Sequence, residues 1–506
     1  MKIGIIILFT CLCSVQITFA QENPIGIFEN NKDIGEPKMM GSASYDETSQ
    51  TYTIKGAGYN IWGQRDEHRY LYNKVKGDFV TTANFEFEGD KENHRKIGWM
   101  ARASDADNSV MVGGFLHGDG LMAGQWRERR GADMQNPEDD VWAQKRHQQI
   151  IQLERRGNTF IVRAAHPGEP LQEISSKQLE FMPEEVLLGI VILSHDENVI
   201  ETAKIWNARI DQPVGEDYNP GKEGWIGCRM ETMNVFDGKR DIIYEKDSRF
   251  EAPNWMPNGE KLLFNMEGSL YTIPVNGGTP IKLNTGFADN LNNDHGISFN
   301  GELLAISHSP KGEGSAVYVL PLEGGTPERV TPKTPSYWHG WATNNKEVVY
   351  VATREGNDTY DIYRKSIQGG QEVKLTDTQK REHVDGPEYS PDGKYIYYNG
   401  SKNGGTMQLW RMKPDGSQKE QLTFDQYNDW FPHISPDGKW IAFISFEPDI
   451  ELNSHPSYKR VMLRLMPTSG GAPEVIAHLY GGQGTINVNS WSPDSKHISF
   501  VSNSGK

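Results

Sequence analysis

The sequence predicts an all-β protein: an antiparallel β-sandwich over residues 21–211, a linker over 212–224, and a six-bladed β-propeller over 225–506. Three observations carry that prediction. A tight-turn motif recurs six times in the second half, the first half holds short alternating strands without this repeat, and the second half begins and ends on incomplete pieces of it.

The turn is clearest at Ser390-Pro391-Asp392-Gly393, between an aromatic strand and an alternating one. Proline at the second place pre-sets φ, aspartate bonds back to nearby amides, and glycine takes the backbone angle that other residues resist. Related pieces start at Met256, Ser298, Ala342, Ser435 and Ser492, so the six copies are separated by 42, 44, 48, 45 and 57 positions. A period of about 40 to 50 residues rich in strand formers is one four-stranded propeller blade per copy. The first piece, 233–244, has no turn of this kind before it, and the last copy is followed by only one strand before residue 506. The two fragments together make one blade, its C-terminal pair inside and its N-terminal pair outside, and closure leaves no long exposed sheet edge.

Before the propeller, segments 49–55, 78–87, 97–102, 109–115, 148–154, 158–163 and 186–193 alternate as half-buried strands do, without helical periodicity, and predict the sandwich. Residues 211–224, DQPVGEDYNPGKEG, have the glycine, proline and acidic content of a linker. At the front, Lys2, the apolar run 3–9 and the small-residue end at Ala20 form a secretory signal peptide, too short to span a membrane. It implies a periplasmic or secreted protein. Cys11 and Cys13 lie inside it without the small residues a lipoprotein site needs, and Cys228 is the one cysteine beyond it. A disulfide framework and a multi-cysteine metal site are both excluded. A net charge of -16 with no basic stripe argues against a nucleic-acid partner.

Two resemblances follow. The pattern Gly56 to Trp62, Gly77-Asp78-Phe79 and Gly98 to Arg102 resembles concanavalin A-like (laminin G-like) jelly-roll domains of extracellular carbohydrate-active proteins. That implies a jelly-roll and a glycan-recognising face, for which Trp62, Asp66, His68, Trp99, Arg102, His117, Asp119, Gln125 and Trp126 are the candidates. Trp62 and Trp99 are read more plainly as core, and Arg127 to Arg130 as a solvated loop. In the second half, Ala252 to Phe264 with Ser269 to Gly278, and Gly386 to Tyr398 with Glu420 to Thr423, are similar to the blades of the periplasmic propeller protein TolB and its relatives. Such blades serve protein binding, peptidase gating and sugar chemistry alike, so the resemblance implies the fold and not an activity. The sequence carries no nucleophile-elbow motif, and a fused serine peptidase is not expected.

Residues two to seven places before each turn are expected at one mouth of the central channel. They are Asp294 and His295, Tyr337, Trp338 and His339, His383 and Asp385, Trp430 and His433. Loops on the same face offer Arg354, Lys402 and, in a long insertion in blade five, His455. Imidazoles among carboxylates suit a divalent metal, manganese, zinc or calcium, with His295, His339 and His433 as its ligands. The expected function is therefore a saccharide-binding and saccharide-cleaving protein, a metal-assisted lyase or hydrolase. In it His295, His339, His383, His433, Asp294 and Asp385 are catalytic, and Trp338, Tyr337, Trp430, Arg354, Lys402 and His455 hold an oligosaccharide or polysaccharide. The plainer reading has these histidines capping strands or lining a wet channel. The alternative function is a non-catalytic interaction scaffold that binds an envelope protein, as TolB does, with no membrane span.

Overall fold

The computed structural model describes residues 24–89, 92–135, 141–354 and 359–505; the leader expected over 1–20 lies outside them. Among the described residues the one helix is a single turn, Pro220–Glu223, and everything else regular is strand. Among the described residues no helix is long and apolar enough to cross a membrane.

The first half forms two seven-stranded antiparallel sheets. One runs in the order Asn30–Ile34, His68–Lys76, Glu185–Leu193, Lys96–Arg102, Met111–His117, Met122–Arg127, Val141–Trp142. The other runs Gln172–Gln178, Thr159–Ala165, Ile150–Arg156, Phe79–Phe87, Glu201–Asp211, Thr51–Gly56, Ser42–Asp46. Period-two side chains put one apolar set inward from each sheet, and Phe79, Phe85, Trp99, Leu153, Phe160 and Ile190 meet in one shared core. Trp99 is fully buried there.

The loop expected to be solvated at Arg127 is a correction. Its guanidinium is fully buried and, with Arg102, donates to the buried Asp66, at 2.6 Å and 3.0 Å for the shortest contacts of each. Met122 and Trp126 of the same strand face the shared core, so Arg127 stands on the other face, where Asp66 and the backbone of Gly63 and Ser109 cover it; a reading of charge alone does not detect this. Asp66, Arg102 and Trp99 are thereby removed from any open sugar-binding face.

The second half is a six-bladed propeller. Five sheets have four strands in simple antiparallel order, beginning on Phe250–Trp255, Leu291–Ile297, Ser336–Trp341, His383–Tyr389 and Asn428–Ile434. The sixth joins His497–Ser504 to Gly227–Asn234 and then Arg240–Lys246, with Trp491 bridging Ile498 on the inner side. Eight residue pairs along the seam, Gly227 with Ser504 through Asn234 with His497, close the ring. Here the expected inner strand is reduced to that bridge, and the Trp491 amide donates to the Asn489 side chain.

The three Ser-Pro-Asp turns are braced as their residues predict. Ser390 Oγ donates to Asp392 Oδ1 at 2.7 Å and accepts from Tyr395 N at 3.1 Å, while Gly393 sits at φ +68°. The same Ser-to-Asp bond recurs at Ser435 with Asp437 and Ser492 with Asp494.

The two halves are joined by a buried charge cluster. Glu231, on the closing strand, accepts from Arg209 of the last sandwich strand at 2.7 Å and from Arg240 of the neighbouring blade strand at 2.8 Å. Ser502 donates to the same carboxylate. Burial opposes the charge on Glu231, but the two guanidinium groups hold its carboxyl well below the usual range. Removing one partner of a buried pair costs about 3–5 kcal/mol because the other charges are left uncompensated. Glu231→Gln is expected to lower unfolding stability by that amount in urea denaturation at pH 7, and the gap from the parent should narrow as pH falls below the ordinary glutamate value of about 4.3.

Candidate site at the propeller mouth

The inner strand of each complete blade carries a β-bulge. The register shifts between Glu251 and Asn254, Leu291 and His295, Trp338 and Gly340, Asp385 and Glu388, and Trp430 and His433. A bulge adds a residue to one strand and re-aims the side chains around it. Three of these bulges hold a residue at positive φ, Ala252, Gly386 and Phe431. At Gly386 a Cβ would lie 2.8 Å from Asn399 Oδ1, so only glycine fits.

The bulges decide which predicted residues meet. Asn293 and Asp294, His339, and Phe431 lie within their bulges, and Asp385 stands at the edge of its own. All of them line one cavity of about 240 Å³. Tyr337 and His383 reach it from just before the bulges, and Arg249, Tyr360, Gln483 and Asn487 complete much of its wall. His455 arrives from the insertion in blade five.

Residues past the bulge are in regular pairing and do not line the cavity. His295 pairs with Ile306 and is 1 % exposed, so it does not reach the mouth where it was expected with His339. Burial lowers the His295 imidazole to about 4. His433 is held by two acceptors, Glu388 at 2.8 Å on Nδ1 and the Ile486 carbonyl at 2.8 Å on Nε2, and staples blades four, five and six. Trp338 packs in the core against Gly296, where a Cβ would meet its ring at 2.0 Å. Trp430 is fully buried behind the wall, 4.4 Å from the His455 ring. Arg354 is neutralised by Glu372 at 2.8 Å, and Lys402 lies over the Trp410 ring at 4.2 Å. The proposed ligand set therefore separates: of His295, His339 and His433, one reaches the cavity. Among the described residues no group of three or more His, Cys, Asp or Glu side chains is placed to hold a metal ion.

What the cavity contains is an imidazole between two carboxylates. His339 Nε2 lies 2.9 Å from Asp385 Oδ1, to which Gly386 N also donates at 2.8 Å. The other oxygen, Oδ2, is 4.0 Å from His383 Nε2 and 3.9 Å from His455 Nε2, beyond hydrogen-bond reach. Burial opposes the charge on His339, yet Asp385 and then Asp294 raise its pKa. Burial likewise opposes the charge on Asp385, but His339 holds its carboxyl well below the usual range. Asp294 fares differently. Its partner is the Asn292 amide, and burial, aided by the charge on Asp385, pushes it up to about 6. Two acids in one cavity are thus driven apart, one committed to an ion pair and one ionising near neutrality. The signal that separates them was present in the sequence only as Asn292-Asn293 ahead of Asp294, a run suited to an irregular strand.

Comparison with known proteins places this ring. No protein-family profile matches the chain. It is 43% identical over 282 residues to Atu1656 of Agrobacterium fabrum, itself uncharacterised; that match covers 56% of this chain and 94% of the relative. A solved Agrobacterium tumefaciens structure, provisionally assigned there as TolB, is also 43% identical, with a TM-score of 0.52 over 55% of this chain and 99% of that one. The chain belongs to the TolB-like propeller family. TolB from Acinetobacter baumannii is more distant, at 14% identity and a TM-score of 0.40 over 66% of this chain and 79% of that one. The matched length is that of the ring, so the TolB-like resemblance stands there. The saccharide-cleaving function expected from sequence is overturned, since the solved structure matched at 43% is TolB-like.

The Asp294 geometry has a measurable sign. A carboxyl whose folded pKa is raised costs the fold nothing while protonated, and the cost is complete above about pH 6. Asp294→Asn is expected to raise stability by about 2 kcal/mol at pH 7.5 and to leave it nearly unchanged at pH 4, read from urea unfolding at both values.

Proposed function

We propose that this TolB-like chain is a non-catalytic interaction scaffold of the cell envelope, and that the cavity end of its propeller is the face on which an envelope protein docks. The observation that carries the reading is 43% identity across nearly the whole of a TolB-like propeller. The mouth supports it: loops of four blades surround the cavity, and the longest, in blade five, delivers His455 to it. Loops on a rigid scaffold are where recognition is placed.

The reading extends to the rest of the chain. Residues 1–20 act as the secretory signal, residues 21–211 form a concanavalin A-like jelly-roll, residues 212–224 are the linker, and the mature protein works in the periplasm. The two seven-stranded sheets around one core suit that sandwich.

Site-specific photo-crosslinking in cells tests the docking face. A photoreactive residue in place of Lys311 or Asn403, both exposed on cavity-side loops, is expected to give a discrete protein adduct. One in place of Asp392, on a turn at the opposite end, is expected to give none. Equal labelling at both ends, or none at either, would exclude the mouth as the docking face.

A further inference from the structure

The axial cavity combines features that select one kind of side chain. Three of its walls are aromatic: Tyr337 and Tyr360, whose rings are 6.1 Å apart, and Phe431, which stacks on His339 at 6.3 Å. Aromatic faces beside carboxylates attract ammonium and guanidinium groups. The charges facing the space can be followed one by one. Arg249 is committed to Glu251 at 2.6 Å, and His339 to Asp385 at 2.9 Å. His383 and His455 border Asp385, and the Tyr337 and Tyr360 hydroxyls border both acids. Asp294 is left with an amide partner and a share of the His339 charge. It is 6 % exposed, so its ionised form sits in a poorly solvating place that a second cation would complete.

We propose that the cavity receives a cationic side chain, lysine or arginine, of the docked protein, with Asp294 as its counter-charge and Tyr337, Tyr360 and Phe431 packed about its stem. This rests on the scaffold reading for its source of the cation. The cavity, at about 240 Å³, has room for one such side chain.

Calorimetric titration of the full chain with the N-acetyl methylamides of lysine and arginine tests the chemistry, with those of leucine and glutamate as controls. The two cationic amides, and not the leucine and glutamate amides, are expected to bind saturably at pH 7.5. Asp294→Asn, whose fold is expected to be at least as stable as the parent at pH 7.5, should weaken them tenfold or more. No binding at millimolar concentration, equal binding of the leucine amide, or full retention of binding in Asp294→Asn would overturn the proposal. The source is tested by adding the lysine amide during cross-linking from Asn403, where it is expected to reduce the protein adduct. An adduct insensitive to the amide and to Asp294→Asn would sink the cationic anchor while leaving the scaffold reading intact. Amide binding with no protein adduct at all would overturn the protein source and the scaffold reading together.

Discussion

Closure of the ring is the constraint from which the rest follows. The strand His497–Ser504 pairs along its whole length with Gly227–Asn234, joining residues more than 260 positions apart. Until that seam forms, blade six has no inner half and blades one and five each lack a neighbour. Non-local pairing of this kind is paid for in loop-closure entropy, which grows only slowly with length, so a large ring is thermodynamically tolerable once each blade buries its own apolar faces. The seam also carries Glu231, which links the sandwich strand Glu201–Asp211 to the blade through Arg209 and Arg240. One strand pair therefore both closes the propeller and fixes the sandwich to it. Further contacts reinforce that attachment: Gln50 exchanges two hydrogen bonds with the Ile242 backbone at 3.1 Å each, and Gly168 bridges Val475.

Closure alone would give a ring of equivalent strands with equivalent side chains at its mouth. The bulges break that equivalence. A residue inside the bulge leaves the ladder and turns to the axis, as Asp294 and His339 do, while one a single step beyond it returns to the pairing and faces a neighbouring blade, as His295 and His433 do. The consequence is electrostatic as well as geometric. His433 becomes a structural staple with both nitrogens satisfied, whereas His339 becomes the shared neighbour of two carboxylates of which it can fully serve one.

Much of the fold was legible because its signals are local. The Ser-Pro-Asp-Gly copies specify their own turns through side-chain bonds within five residues, and their spacing counts the blades. The end of the channel at which Asp294, Tyr337, His339, His383, Asp385 and His455 gather followed from strand direction. What sequence could not supply was rotation about the strand. Counting back from the turn placed His295 and His339 at one station, but the count assumes a regular ladder, and the bulge lies between Leu291 and His295 in one blade and between Trp338 and Gly340 in the next. Trp338 and Trp430 were misplaced for a related reason: a large ring that fills the space between blades looks, in a string of letters, like one that faces the channel. Arg127 was lost among its charged neighbours because what buries it is Asp66, a residue distant in sequence that covers the sheet face opposite the core.

The insertion in blade five connects these levels. It sends His455 to within 3.9 Å of Asp385, and its far side leads to Tyr458, whose hydroxyl accepts from Ile226 N at 3.1 Å just before the closing strand. Next in the chain, Arg460 lies 3.7 Å from Glu154 of the sandwich, a buried carboxylate that also binds Arg163. A loop free at one end would let His455 wander from the cavity. Anchored on the linker and the sandwich, it holds one wall of the cavity at a position the propeller alone does not set. The sandwich is therefore part of the mouth's architecture even though none of its side chains lines the cavity, and a TolB-like ring without it would present Asp385 with one fewer fixed imidazole.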